Sequence, residues 1–214
     1  MKNLWKTLKA FLLCAVLMGS LPMMAEKNNL DEMSFAEIIN SVDLGKQSDL
    51  IKRFQDREAK NVLLKNKAIG GDKSECSIDA VRDHEVLVVT IPAKFLFGPN
   101  QTQLLESADK YLDPFKRYLK EPDMYRVLLV MHTDNTGSEK YREQLTIDRA
   151  EAVADWFEEQ DLNTEFLFPY AMADDIPLVK NDSFSNRERN RRLEIYLVPG
   201  EAMVEKAKKG RIAF

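Results

Sequence analysis

The sequence predicts an α+β fold, an αβ sandwich in which a mixed β-sheet carries two main helices. Three observations support it. RVLLVM, from Arg126 to Met131, is a continuous apolar run of strand length, as a buried central strand would be. Farther on, Leu193, Ile195 and Leu197 alternate with Glu194 and Tyr196, the period-two pattern of a strand with one buried face. Two other stretches repeat apolar residues every three or four positions, as amphipathic helices do. Along the chain these give a β-α-β-α-β order behind a short helical lead-in.

The elements follow in order. Residues 1–25 read as an export signal: Lys2, Lys6 and Lys9 precede the apolar core AFLLCAVLMGSL, and Ala25 offers a cleavage point. Residues 26–72 form a polar helical lead-in or linker, with one helical pattern at Phe35, Ile38 and Ile39 and another at Leu50, Ile51 and Phe54. The main domain spans 73–200. CSIDAV and VLVVTIP form a hairpin around Arg82-Asp83-His84, and Gly98-Pro99-Asn100 forms a loop. The first main helix carries Leu104, Ala108, Tyr111, Leu112, Phe115 and Leu119. Pro114 should kink or restart it, with Asp113 placed to cap the restarted piece. The second runs from about Glu139 to Gln160 and buries Leu145, Ala152, Val153, Trp156 and Phe157. A loop with Pro169 and Pro177 follows, then the last strand and a C-terminal tail, 201–214.

Composition narrows the function classes. The 214 residues are 31% charged with a net charge of −4, which falls to −7 when the three signal lysines are removed. Such a chain does not bind nucleic acid through bulk electrostatics, so any anion must be held locally. Cys14 lies early in the signal's apolar core behind Leu13, an unfavourable context for lipidation. Cys76 is then alone in the mature chain, and no internal disulfide can form. Residues 26–84 are too short and polar for a membrane barrel or a catalytic domain.

One stretch joins strand to helix with opposite charges fifteen positions apart: MHTDNTGSEKYREQLTIDRA places Asp134 just after the strand and Arg149 in the helix. HTDNTGS, then Leu145-Thr146-x-x-Arg149-Ala150, then Asn190-Arg191-Arg192-Leu193-Glu194-Ile195, resemble the OmpA-like peptidoglycan-binding domain. FLFGPNQTQL matches its opening strand and loop, so the resemblance covers roughly residues 85–198. It implies a non-enzymatic, periplasmic protein of a Gram-negative envelope, associated with the outer membrane, that holds the diaminopimelate of cell-wall stem peptides. It further implies no cofactor, with peptidoglycan as partner and an outer-membrane protein as a second one. The ligand-binding set is then Asp134, Arg149, Thr136, Asn100, Arg142, Asn190 and Arg191. Arg191 is implied to brace the binding loop, and Asn190 to fix backbone. Met131, Arg142 and Thr146 depart from the family's glycine, asparagine and serine. Arg142 adds a cation beside the site.

The residue types suit that ligand. A free amino-acid end carries one carboxylate and one ammonium; arginine's planar fork takes the first, and aspartate accepts from the second. We expect the two charges to meet across the loop with ligand between them, both partly open to solvent. Without the resemblance, Asp134 reads as a turn residue and Arg149 as a surface partner of Glu143 or Asp148. In the run Arg187, Arg189, Arg191 and Arg192, the residues Arg189 and Arg192 read equally well as a solvated loop. Chemistry is poorly supplied: His84 and His132 are the chain's two histidines, and His132 with Asp134 makes at most a two-ligand metal pattern. The rival function is a membrane-anchored scaffold or stator-like component with an uncleaved N-terminal helix. Residues 10–25 hold no charged residue for proton coupling.

Overall fold

The computed structural model describes residues 30–71 and 73–212. The export-signal segment lies outside them. Five strands form one sheet: β1 (Ser77–Val81), β2 (Val86–Pro92), β3 (Tyr125–His132), β4 (Leu167–Ala171) and β5 (Arg192–Pro199). Their order is β1-β2-β5-β3-β4, antiparallel throughout except for the parallel pair β3 and β4. The sheet is mixed, as expected, and β5 takes its centre. The helices are α1 (Phe35–Ile39), α2 (Ser48–Glu58), α3 (Asp109–Leu112), α4 (Glu139–Glu158), α5 (Phe184–Asn190) and α6 (Glu201–Lys208).

Strand alternation sorts the side chains onto two faces. Leu87, Val89 and Ile91 of β2, Val127, Leu129 and Met131 of β3, and Leu193, Ile195 and Leu197 of β5 share one face and form the main core. It is closed by Ile51 of α2, Leu112 of α3, Val153 and Phe157 of α4, and Met203, Val204 and Ala207 of α6. The other face bears Leu128, Val130 and His132 opposite Tyr196, Glu194 and Arg192. Helix α1 covers part of it: Phe35 stands edge-on to Tyr196 at 4.9 Å and to Tyr170 at 5.8 Å, and Tyr170 Oη donates to Met33 O at 3.0 Å. The last strand is therefore covered on both faces, not on one as its alternation suggests. Its polar positions are paired below α1 instead of solvated.

Caps and turns form where the sequence supplies them. Ser34 and Glu37 make a reciprocal capping box on α1. Ser138 caps α4 by accepting from Tyr141 N. The hairpin turn holds Arg82, Asp83 and His84 all at positive φ.

Three segments differ from expectation. The first main helix is α-helical only over Asp109–Leu112 and continues as 3-10 turns over Asp113–Leu119. Pro114 brings no N–H for the i→i−4 bond, so the turns after it tighten. Asp113 does not cap; it pairs with Lys116 at 2.7 Å. Strand β4 occupies the expected loop, and its edge position tolerates Pro169. Within the expected tail, α6 packs into the core. Its entry is tight: a Cβ on Gly200 would lie 2.0 Å from Asp123 O. The lead-in shares that core as well. Gln55 of α2, fully buried, donates to Glu85 O at 3.0 Å and Leu197 O at 3.2 Å and accepts from Tyr125 Oη at 2.9 Å.

Because Met203 is fully buried, Met203→Ala should cost about 2–5 kcal/mol in urea unfolding. An unchanged midpoint would show that α6 is not part of the cooperative core.

Candidate functional site

A pocket of about 1010 Å³ opens where the loop after β3, the loop at 98–100, α4 and α5 converge. Asp134, Arg149, Thr136, Asn100 and Arg191 all line it; Arg142 and Asn190 do not. Helix periodicity aims its walls. Tyr141, Leu145 and Arg149 recur every four residues on α4, and Phe184, Arg187, Glu188 and Arg191 follow the i, i+3, i+4, i+7 pattern of one face running to the C-cap of α5.

Asp134 is 3% exposed. Its Oδ1 accepts from Thr136 N at 2.7 Å, closing a local turn, and its Oδ2 is ion-paired with Arg191 Nη1. Arg149, 4% exposed, donates from Nε to Gln101 O at 2.8 Å and from Nη2 to Gly98 O at 3.2 Å. Its guanidinium also sits 4.8 Å over the Phe97 ring. Burial lowers its pKa, and among the described residues no carboxylate pairs with it. Even so, an arginine remains charged in proteins. The two opposite charges thus share one pocket but do not pair with each other; Arg191 takes the aspartate. Nor are they partly open. Arg191 and the 134–136 turn engage Asp134, and the 98–101 loop engages Arg149.

The loop between them is shaped by Gly137 at φ +89, where a Cβ would lie 2.9 Å from the Tyr141 ring. Tyr141 Oη donates to Asn100 Oδ1 at 3.2 Å and links this loop to the 98–100 loop. Arg142 braces the loop away from the pocket, donating to Gly137 O at 2.7 Å and to Asp174 Oδ1 at 2.6 Å. Asn190, fully buried, pins backbone: it accepts from Val179 N at 3.0 Å and donates to Val179 O at 2.8 Å. Arg189 is exposed, but Arg192 is 2% exposed, because Glu194 Oε1, Asn190 O and Ile176 O take its N–H groups. The solvated-loop reading therefore fails for Arg192.

Sequence reasoning missed Lys94, Tyr141, Phe184 and Arg187 as pocket walls. The helical spacing of 184, 187, 188 and 191 was the available signal, hidden because the basic run read as loop. His132 points to the opposite sheet face and joins a second cavity of about 250 Å³. It does not join Asp134, and among the described residues no group of three or more His, Cys, Asp or Glu could hold a metal.

Two buried carboxylates are held below their ordinary values. Burial alone would raise Asp134, but hydrogen bonds from Thr136 and the Arg191 guanidinium hold it below its ordinary value. Burial also opposes ionisation of Glu194. His132 (Nε2 3.3 Å away, poorly aligned), Arg192 and the Tyr196 hydroxyl nevertheless pull it to about 2. A depressed carboxylate contributes its full stability above its unfolded pKa, about 4, and loses it as pH falls through the folded value. Urea unfolding should therefore show stability falling most steeply from about pH 4 to pH 2. Glu194→Gln should flatten that slope while lowering the neutral-pH plateau. A mutant slope as steep as wild type would remove Glu194 from this role.

Comparison with known proteins agrees with the motifs and the fold. The OmpA family matches residues 96–191. The outer-membrane lipoprotein YfiB of Pseudomonas aeruginosa is 34% identical over 109 residues, which is 51% of this chain and 64% of that relative's length. This chain thus aligns with under two thirds of that protein. A MotB-like protein of Desulfovibrio vulgaris superposes with a TM-score of 0.60 at 25% identity, covering 72% of this chain and 98% of the other. The periplasmic domain of Helicobacter pylori MotB shares the fold at a TM-score of 0.52 and 18% identity, covering 68% of this chain and 94% of its own. Among the described residues no helix is long and apolar enough to cross a membrane. With motifs, topology and family match in agreement, this chain carries an OmpA-family domain at residues 96–191.

Proposed function

We propose that the protein binds peptidoglycan without catalysing a reaction, holding the free end of a diaminopimelate residue between Arg149 and Asp134, and so helps tether the envelope to the cell wall. The observation that carries this reading is Arg149, a buried guanidinium held by two neutral carbonyls, with no carboxylate beside it among the described residues. Burying such a cation is costly unless an anion completes the site. A ligand carboxylate does so, and the arginine fork is shaped to accept one. Asp134 uses one oxygen on Thr136 N and the other on Arg191, which leaves a lone pair on each for an incoming ammonium. Thr136, Asn100 and Arg191 complete the wall.

The pocket lining contains no serine, cysteine or histidine. The Ser–His and Cys–His pairs that commonly drive acyl transfer therefore have no members in this lining, which favours binding over hydrolysis. We place the protein in the periplasm at the outer membrane. The export signal read at residues 1–25 and the outer-membrane lipoprotein among its relatives support that location. Attachment would run through a partner outer-membrane protein.

The full chain should sediment with insoluble sacculi at low salt, and a soluble diaminopimelate-containing tripeptide should compete. Each charge-assisted contact contributes roughly 1.5–3 kcal/mol, so Arg149→Lys and Asp134→Asn should each weaken binding by about 10- to 100-fold in the folded fraction. These conservative changes are the informative ones. Arg149→Ala would strand two buried carbonyls and cost about 1–3 kcal/mol of stability as well. A wild-type protein that stays in the supernatant would refute the cell-wall reading.

A further inference from the structure

The charges of the main pocket do not close on a zwitterionic ligand. Its lining holds four cations, Lys94, Arg149, Arg187 and Arg191, against two acids, Asp134 and Glu188. Both acids are already engaged: Asp134 with Arg191, and Glu188 with Lys94 at 2.9 Å. Arg149 and Arg187 remain with no carboxylate partner among the described residues. The free end of one diamino acid brings one carboxylate and one ammonium, so it leaves a guanidinium uncompensated.

That guanidinium is Arg187. It stands one helical turn before Arg191 on the α5 face that lines the pocket, with Phe184 three residues before it on the same face. It is half-buried and donates from Nη1 to Asn181 O at 3.2 Å, a neutral acceptor. One carbonyl uses one of five N–H groups, and the rest of the fork is available. Phe184 is 70% exposed, the highest of the large hydrophobic side chains on the described surface, and packs beside the Arg191 guanidinium at 5.7 Å. A surface wall of arginine beside an open aromatic suits an anion attached to an organic body better than a small inorganic ion.

We propose that Arg187 forms a second anion subsite in this pocket, so that the ligand is a peptide presenting a further free carboxylate besides the one held by Arg149. This deepens the peptidoglycan reading and rests on it. A stem peptide offers two candidates, the backbone carboxylate of its γ-linked glutamate and the second carboxylate of diaminopimelate. The pocket distinguishes peptides in which that group is free from peptides in which it is amidated.

Calorimetric titration of the full chain tests this with three probes: the tripeptide Ala-γ-Glu-diaminopimelate as free acid, and the same tripeptide amidated at either candidate carboxylate. Amidation of one of the two should weaken binding to wild type by about tenfold, the loss of one charge-assisted contact. In Arg187→Gln that difference should vanish, with the free acid binding as the amidated peptide binds wild type. Thermal melts verify that the variant is folded. If neither amidation affects wild type, or if Arg187→Gln loses the same factor with all three probes, the second subsite is refuted while the Arg149 reading stands. If wild type binds none of the probes, both readings fall.

Discussion

The antiparallel register of β3 with β5 is the constraint on which the site depends. His132 pairs with Arg192 at one end of the sheet, where β3 leaves it and β5 enters it. Two residues beyond His132, Asp134 meets Arg191, the residue just before β5. A slip of one position would exchange the faces of every side chain on the strand. Arg191 would then turn toward α1 and Arg192 toward the pocket, and the aspartate would lose its bracing cation. Arg192, buried on the opposite side and satisfied there by Glu194 and two backbone carbonyls, would lose those partners in such a slip. The adjacent arginines thus serve two faces of one sheet: one shapes the pocket, and the other is satisfied on the opposite face.

Electrostatics then decides what the pocket accepts. The chain as a whole is acidic, at −4, yet this concavity gathers cations. Partial desolvation strengthens each interaction there relative to bulk water, and salt screens it less than a surface pair. Asp134 stays ionised because Thr136 and Arg191 outweigh its burial. Arg149 keeps its charge although burial works against it. A site of this kind selects by the placement of charge on the ligand. Affinity built from a few charge-assisted contacts also suits reversible attachment to a polymer that offers many copies of the same group.

Much of this was legible in the sequence, and the failures have identifiable causes. The apolar run of β3, the hairpin β1–β2 and the long helix α4 follow from periodicity and turn chemistry alone. The charges at 134 and 149 and the motif at 190–192 located the pocket. Their pairing was not legible, because Asp134 lies 57 positions from Arg191 and only the sheet register joins them. Strand β4 was hidden by Pro169, which reads as a breaker unless the strand's edge position is known. Helix α5 was hidden by its charge, because FSNRERN has one apolar residue, Phe184, and no apolar stripe; the face it turns to the pocket is otherwise charged. The lead-in and α6 bury apolar stripes that spacing revealed only in part, and their docking on the far end of the sheet is a tertiary fact.

The proposed grip requires one diamino acid to meet Arg149 and Asp134 together. The most direct measurement is an NMR titration of the isotope-labelled protein with free diaminopimelate, following backbone amides and arginine Nε–H signals. The Arg149 Nε–H and the amides of Thr136, Gly137 and Asn100 should shift together along one binding curve. Shifts confined to another surface, such as the lysine-rich 65–73 stretch, or no shift at millimolar ligand, would contradict that grip.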